Sequence, residues 1–182
     1  MQILCENGLL NSFFNNLEYD LKQSDTRFTG RFGLIFELLS KLMNFESETY
    51  GNFIQPSLID IGIQSWPILS KSAIKNFVAF LYNFISCSSS SVCSEIIERY
   101  PTFINALLCS LGDQEFCSQS IVLLLILIDV FLEHTQDDEQ WNAILADPNL
   151  QNLEALAESS NINIKHQAQA VINLHFTSKA EQ

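Results

Sequence analysis

A short apolar helix, a polar turn and a longer apolar helix recur four times along this chain of 182 residues. The longer segments are Gly30–Asn44, Ser72–Cys87, Ser118–His134 and Lys165–Phe176. With Lys41, Asn83, Asp129 and Asn173 taken as equivalent positions, the spacings are 42, 46 and 44 residues. A period in this range predicts an all-α stacked array, in which each unit buries its apolar face only against its neighbours. Arrays of this kind offer long surfaces for other macromolecules, so the expectation is a binding protein and not an enzyme.

Composition supports that class. Apolar residues make up 47% of the chain and charged residues only 16%, which is the balance of a folded protein. Six glycines, four prolines and few alternating apolar/polar stretches argue for helices over a β-sandwich. The formal net charge of -12 repels phosphate backbones and anionic lipid, so neither nucleic acid nor a membrane surface is expected as partner. A basic peptide or basic protein face stays compatible with it. The five cysteines (Cys5, Cys87, Cys93, Cys109, Cys117) are odd in number with no short paired spacing, and they read as reduced, mostly half-buried packing residues. There is no Asn-x-Ser/Thr acceptor, and Met1–Cys5 lacks the basic flank and long apolar stretch of a secretion signal. The expected location is therefore the cytoplasm, with the nucleus as second choice. Ile121–Leu132, interrupted only by Asp129, falls short of the roughly 20 apolar residues that a membrane span needs. It reads as the most buried helix of the array.

The units fall at about 1–45, 46–88, 89–135 and 136–177 of a single domain. Gly8–Leu21 places Leu9, Leu10, Phe13, Phe14, Leu17 and Leu21 on one helical face, and Asp25 or Thr26 caps the helix carrying Phe32, Ile35, Phe36 and Leu39. Asn52–Ile63 leads through Trp66–Pro67 to a helix capped by Ser70 or Ser72 and bearing Ile74, Phe77, Val78, Leu81 and Phe84. Ser86–Ser91 reads as a loop, Glu95–Arg99 as a short turn of helix and Thr102–Leu111 as a helix after Pro101. Gln136–Glu139 reads as an acidic loop, followed by short helices at Trp141–Leu145 and Asn149–Glu158.

The run Asn149–Phe176, NLQNLEALAESSNINIKHQAQAVINLHF, joins a Leu-rich helix through a Ser/Asn turn to a helix ending in Ala170, Val171, Ile172, Asn173 and Leu174. This resembles the second and third helices of an armadillo repeat, whose third helix ends on a small residue, an apolar residue, any residue, Asn and an apolar residue. Phe80–Phe84 fits that ending in part, while Lys41 and Asp129 replace the Asn. The resemblance implies a right-handed superhelical solenoid of about four units, with a HEAT-like or mixed armadillo-like array also open because the first helix of each unit is poorly defined. Its third helices would line a concave face holding a partner helix or extended segment. In relatives that grip basic peptides, the Asn ladder is flanked by Trp one turn earlier. Here those positions are Glu37, Ala79, Leu125 and Gln169. An Asn amide both donates and accepts, whereas Lys41 and Asp129 each do only one, so a transport receptor for a basic peptide is the weakest reading.

No chemistry-bearing motif stands beside this pattern. His134, His166 and His175 lack a second ligand at metal-binding spacing, and no nucleophile elbow or phosphate-cradling glycine loop occurs. Neither a catalytic residue, a cofactor nor a metal is expected. Trp66 and Trp141, with Tyr50 and Tyr100, fall beside inter-helix loops, where exposed rings would anchor a partner and buried ones would plug gaps between units. The candidate partner-binding set is Lys41, Asn83, Asp129, Asn173, Trp66 and Trp141. The chain is expected to act as a protein–protein interaction scaffold or adaptor, similar in kind to cytoskeletal, centrosomal or ciliary scaffolds of divergent armadillo units. A regulatory cofactor of a chaperone or enzyme complex is the competing class. No polar capping helix is evident at either end, so a larger array or a homo-oligomer covering an end is expected.

Overall fold

In the computed structural model, residues 29–45 and 56–177 are described, together with Ser12, Asn16 and Tyr19, which are helical and exposed. The expected helix at Gly8–Leu21, its following cap, Tyr50, Cys5 and the tail after Thr177 lie otherwise outside the described residues. Among the described residues every regular element is helical. The chain forms two compact units, Met1–Cys87 and Ser88–Gln182.

In the N-terminal unit the elements are α1 (Thr29–Phe45), α2 (Pro56–Ser65), a 3-10 turn (Trp66–Ile68) and α3 (Lys71–Cys87). Phe32, Ile35, Phe36 and Leu39 recur at helical spacing on α1, and all four are buried. Their partners on α3 are Phe77 and Phe80, whose ring centroids lie 4.7 and 5.6 Å from that of Phe36. Ser70 caps α3, accepting from the Ala73 amide at 3.3 Å. Pro67 at the head of the 3-10 turn ends α2, and the Trp66 ring meets Phe77 edge-on at 6.1 Å. Asn76 Nδ2 donates to the Gly33 carbonyl at 2.9 Å, and Asn83 Nδ2 to the carbonyl and hydroxyl of Ser40 at 3.3 Å each. Gly33 and Ser40 meet Asn76 and Asn83 in the same order, so α1 and α3 run parallel.

The C-terminal unit holds α4 (Ser90–Arg99), α5 (Phe103–Leu111), α6 (Ser118–His134), α7 (Asp138–Leu145), α8 (Leu150–Ala157) and α9 (Ile162–Val171). A π-helical turn, Ile172–Thr177, continues α9. Helices α4 and α5 pack on α6, α8 packs on α9, and the two groups join through α5 against α8 and α6 against α9. Polar side chains cross these seams. Asn105 donates to the Asp147 carboxylate, Asn152 to the Leu108 carbonyl and Asn161 to the Ser118 hydroxyl. The His175 Nε2–H donates to the Asp129 carboxylate at 2.7 Å. Again the order along each pair is parallel. Between its two rungs α9 spends three more residues than α6, and the wide π turn lies where that excess is taken up.

Three expectations need correction, two of them in part. The loop at Ser86–Ser91 is shorter than expected, Ser88 and Ser89 alone: α3 runs to Cys87 and α4 begins at Ser90, because Cys93, Ile96 and Ile97 form a buried stripe that carries the helix back through the serines. Of the acidic loop expected at Gln136–Glu139, only Gln136 and Asp137 lie outside a helix. Asp137 caps α7 by accepting from the Glu139 amide, and Asp138 and Glu139 form its first turn, where carboxylates are favoured by the helix dipole. From Ser120 to Leu132 no residue of α6 is exposed: Leu124, Leu125, Ile128 and Phe131 are buried, and Val122, Ile126 and Val130 are half-buried. Among the described cysteines only Cys93 is buried. Cys87 and Cys117 sit at helix ends and Cys109 on the outer side of α5, positions that packing does not reach. Burial, and then the nearby Glu133 carboxylate, push the Cys93 thiol up, which keeps it protonated.

Candidate functional site

The six candidate residues separate into exposed and buried positions. Lys41 is exposed and pairs with Glu37 one turn earlier at 2.6 Å. The hydrogen bond from Lys41, then its charge, hold the Glu37 carboxyl below the usual carboxylate range, and Lys75 adds to the effect. Asn83 is half-buried with its amide committed to Ser40 of α1. Asp129 is half-buried and accepts from His175, which is itself buried. Asn173 lies exposed in the π turn.

Both tryptophans are buried, so they do not meet the condition for partner anchors. Trp66 closes the aromatic cluster of α1 and α3. The Trp141 indole N–H donates to the Thr135 carbonyl at 2.9 Å, and its ring lies edge-on to Phe176 at 5.8 Å. A ring held on both its apolar and polar sides fills a gap within the fold. In the candidate set, Lys41 and Asn173 are the exposed side chains.

Two exposed apolar faces escaped the sequence reading. On α1, Leu34 and Leu38 are 68% and 51% exposed and lie two turns and one turn, respectively, before Lys41 on the same helical face. On α9 and its π turn, Ile162 and Leu174 are exposed. The available signal was a second apolar stripe beside the core stripe, as in FGLIFELL at 32–39, where Leu34 and Leu38 fall outside the i, i+3, i+4 series of Phe32, Ile35, Phe36 and Leu39.

Charge is divided unevenly. Residues 1–87 hold eight Asp and Glu against six Lys and Arg, whereas residues 88–182 hold thirteen against three. Among the described residues no group of His, Cys, Asp and Glu is arranged to hold a metal ion, and no helix is long and apolar enough to cross a membrane. Histidine 134 turns its Nδ1–H back to the Val130 carbonyl at 2.8 Å. The chain has no match among models of known protein families, curated proteins or solved structures.

Proposed function

We propose that this chain is a non-enzymatic protein-interaction scaffold of the cytoplasm, built of armadillo-like units. Its partner would lie along solvent-facing third helices. One observation carries the reading: the side-chain hydrogen bonds between α1 and α3, α5 and α8, and α6 and α9 join residues 42 to 46 apart. That separation equals the period of the sequence, as expected of helices stacked in register one unit after the next. Such stacking spends Asn83 and Asp129 on neighbouring helices and leaves other positions to meet a partner. On α1 these are Leu34, Leu38 and Lys41, a face of two apolar anchors with a cation at its end. A helix laid there would bury the leucines and set an acidic group against Lys41.

The test is affinity capture with the intact chain and with a Leu34→Glu/Leu38→Glu variant, followed by reconstitution of each captured protein in purified form. A defined partner bound by the intact chain and weakened at least ten-fold by the variant is the expected result. Partners indifferent to the two substitutions would remove α1 as the binding face.

A further inference from the structure

The geometry points to an acidic amphipathic helix as the ligand of the α1 face, held by Leu34 and Leu38 and by two lysines, Lys41 of α1 and Lys75 of α3. This rests on the proposed reading of α1 as a binding face and adds the chemistry of what binds there. The hydrogen bonds from Asn76 to Gly33 and from Asn83 to Ser40 lay α3 along one side of α1. Glu37 falls between Gly33 and Ser40 on that side, and the charges of both Lys41 and Lys75 act on its carboxylate. Leu34, Leu38 and Lys41 each follow one of these three residues, which sets them about 100° further round the helix. They stand clear of the buried stripe of Phe32, Ile35, Phe36 and Leu39. The face therefore runs from two exposed leucines, across the Lys41–Glu37 pair, to the exposed Lys75.

Two observations select this ligand. The first is charge. The sequences of α1 and α3 hold Arg31, Lys41, Lys71 and Lys75 against Glu37 alone, and Ile61–Ser94 contains no Asp or Glu, in a chain whose net charge is -12. A basic segment is drawn to residues 88–182, with thirteen acids and three cations. An acidic segment is repelled there and finds its counter-charge on α1 and α3. The second is the state of the groups that would hold a backbone. An extended segment brings unpaired N–H and C=O groups that need partners. The side-chain amides along this seam, Asn76 and Asn83, are already committed to α1. A helix satisfies its own backbone and presents apolar side chains at i and i+4, the spacing of Leu34 and Leu38 themselves. Glu37 holds Lys41 at 2.6 Å, so an arriving carboxylate competes with it for the lysine.

The test is selection on the intact chain from a display library of random peptides about 16 residues long, enough for four helical turns. Counter-selection on the Leu34→Glu/Leu38→Glu variant removes peptides that bind other faces. The expected survivors carry net negative charge and apolar residues four apart. Fluorescence anisotropy of such a labelled peptide should show Lys41→Gln/Lys75→Gln weakening binding about ten-fold and Glu37→Gln tightening it about three-fold. Binding should also weaken as NaCl rises from about 50 mM to 0.5 M. Exposed ion pairs add little to stability, so thermal unfolding of these variants should stay close to that of the intact chain and separate lost binding from lost folding. Leucine-dependent peptides that are neutral or basic would overturn the acidic ligand and keep α1 as the binding face. So would acidic peptides indifferent to the two lysines. Flotation with vesicles of phosphatidylcholine and about one quarter phosphatidylserine, lost in the lysine variant while no acidic peptide survives, would overturn it in favour of a lipid surface. A library that yields no leucine-dependent peptide, with no such flotation, would overturn this ligand together with the reading of α1 beneath it.

Discussion

At the scale of single residues, two helical glycines that look alike in the sequence have opposite roles. Gly62 on α2 lies directly against the Phe77 ring, and a methyl group there would fall inside the ring's contact distance. Phe77 has no room to yield, being fully buried between Phe36, Phe80 and Trp66. Gly62→Ala should therefore destabilise by about 1–3 kcal/mol, in spite of the better helix propensity of alanine. At Gly33 a methyl would meet Ala73 at 3.5 Å, an ordinary contact, so Gly33→Ala should stabilise by about 0.5–1 kcal/mol. Chemical denaturation of the two variants decides the matter: equal effects would mean that the α2–α3 approach is looser than described. A second residue-scale case is Asp129→Ala, which leaves the buried His175 N–H without its acceptor and should cost about 1–3 kcal/mol. A double-mutant cycle with His175→Ala should return most of that loss as coupling between the two residues.

At the scale of elements, the seam between α5 and α8 can be read by pH. Burial acts to raise the Asp147 carboxyl, but hydrogen bonds from Asn105 and from the Asn149 amides outweigh it and hold the group below its ordinary value. A carboxyl depressed in the folded state contributes stability above the unfolded value near 4, and the contribution is lost as pH falls through the folded value. Asn105→Ala should thus lower the unfolding midpoint by roughly 2–4 °C at pH 7, for a loss of about 1 kcal/mol, and by progressively less as pH falls through the folded value. A deficit that persists in acid would assign the loss to packing instead of to the charged hydrogen bond. How much of such elements was legible depended on their contrast. Helix α6 was readable to its end residues, Ser118 and His134, since Cys117 and Thr135 bound an unbroken apolar run. The first turn of α4 was hidden by serines, and that of α7 by acids, since both residue types suit a loop as well as a helix start. The candidate ladder failed for a different reason. Periodicity places Asn83 and Asp129 off the core stripe, but it does not say whether that flank meets solvent or a helix some 40 residues away.

For the whole molecule the relevant quantity is where the net charge of -12 resides. Self-repulsion grows with the imbalance within a unit, and the imbalance lies in residues 88–182. Salt screens repulsion between exposed charges over about 10 Å at 0.1 M, so thermal stability should rise between about 20 mM and 0.5 M NaCl, by roughly 2–4 °C. Two charge reversals separate this from a general salt effect. Glu154 is exposed on α8 within the acidic unit. Glu154→Lys should stabilise by a few tenths of a kcal/mol at low salt, and the gain should vanish at high salt. Glu37 lies beside Lys41 and feels Lys75, in the nearly balanced unit. Glu37→Lys places three cations together and should destabilise, again most at low salt. The two variants change the net charge equally, so opposite signs would locate the repulsion in the C-terminal unit. Equal signs would mean that total charge, and not its place in the chain, governs stability.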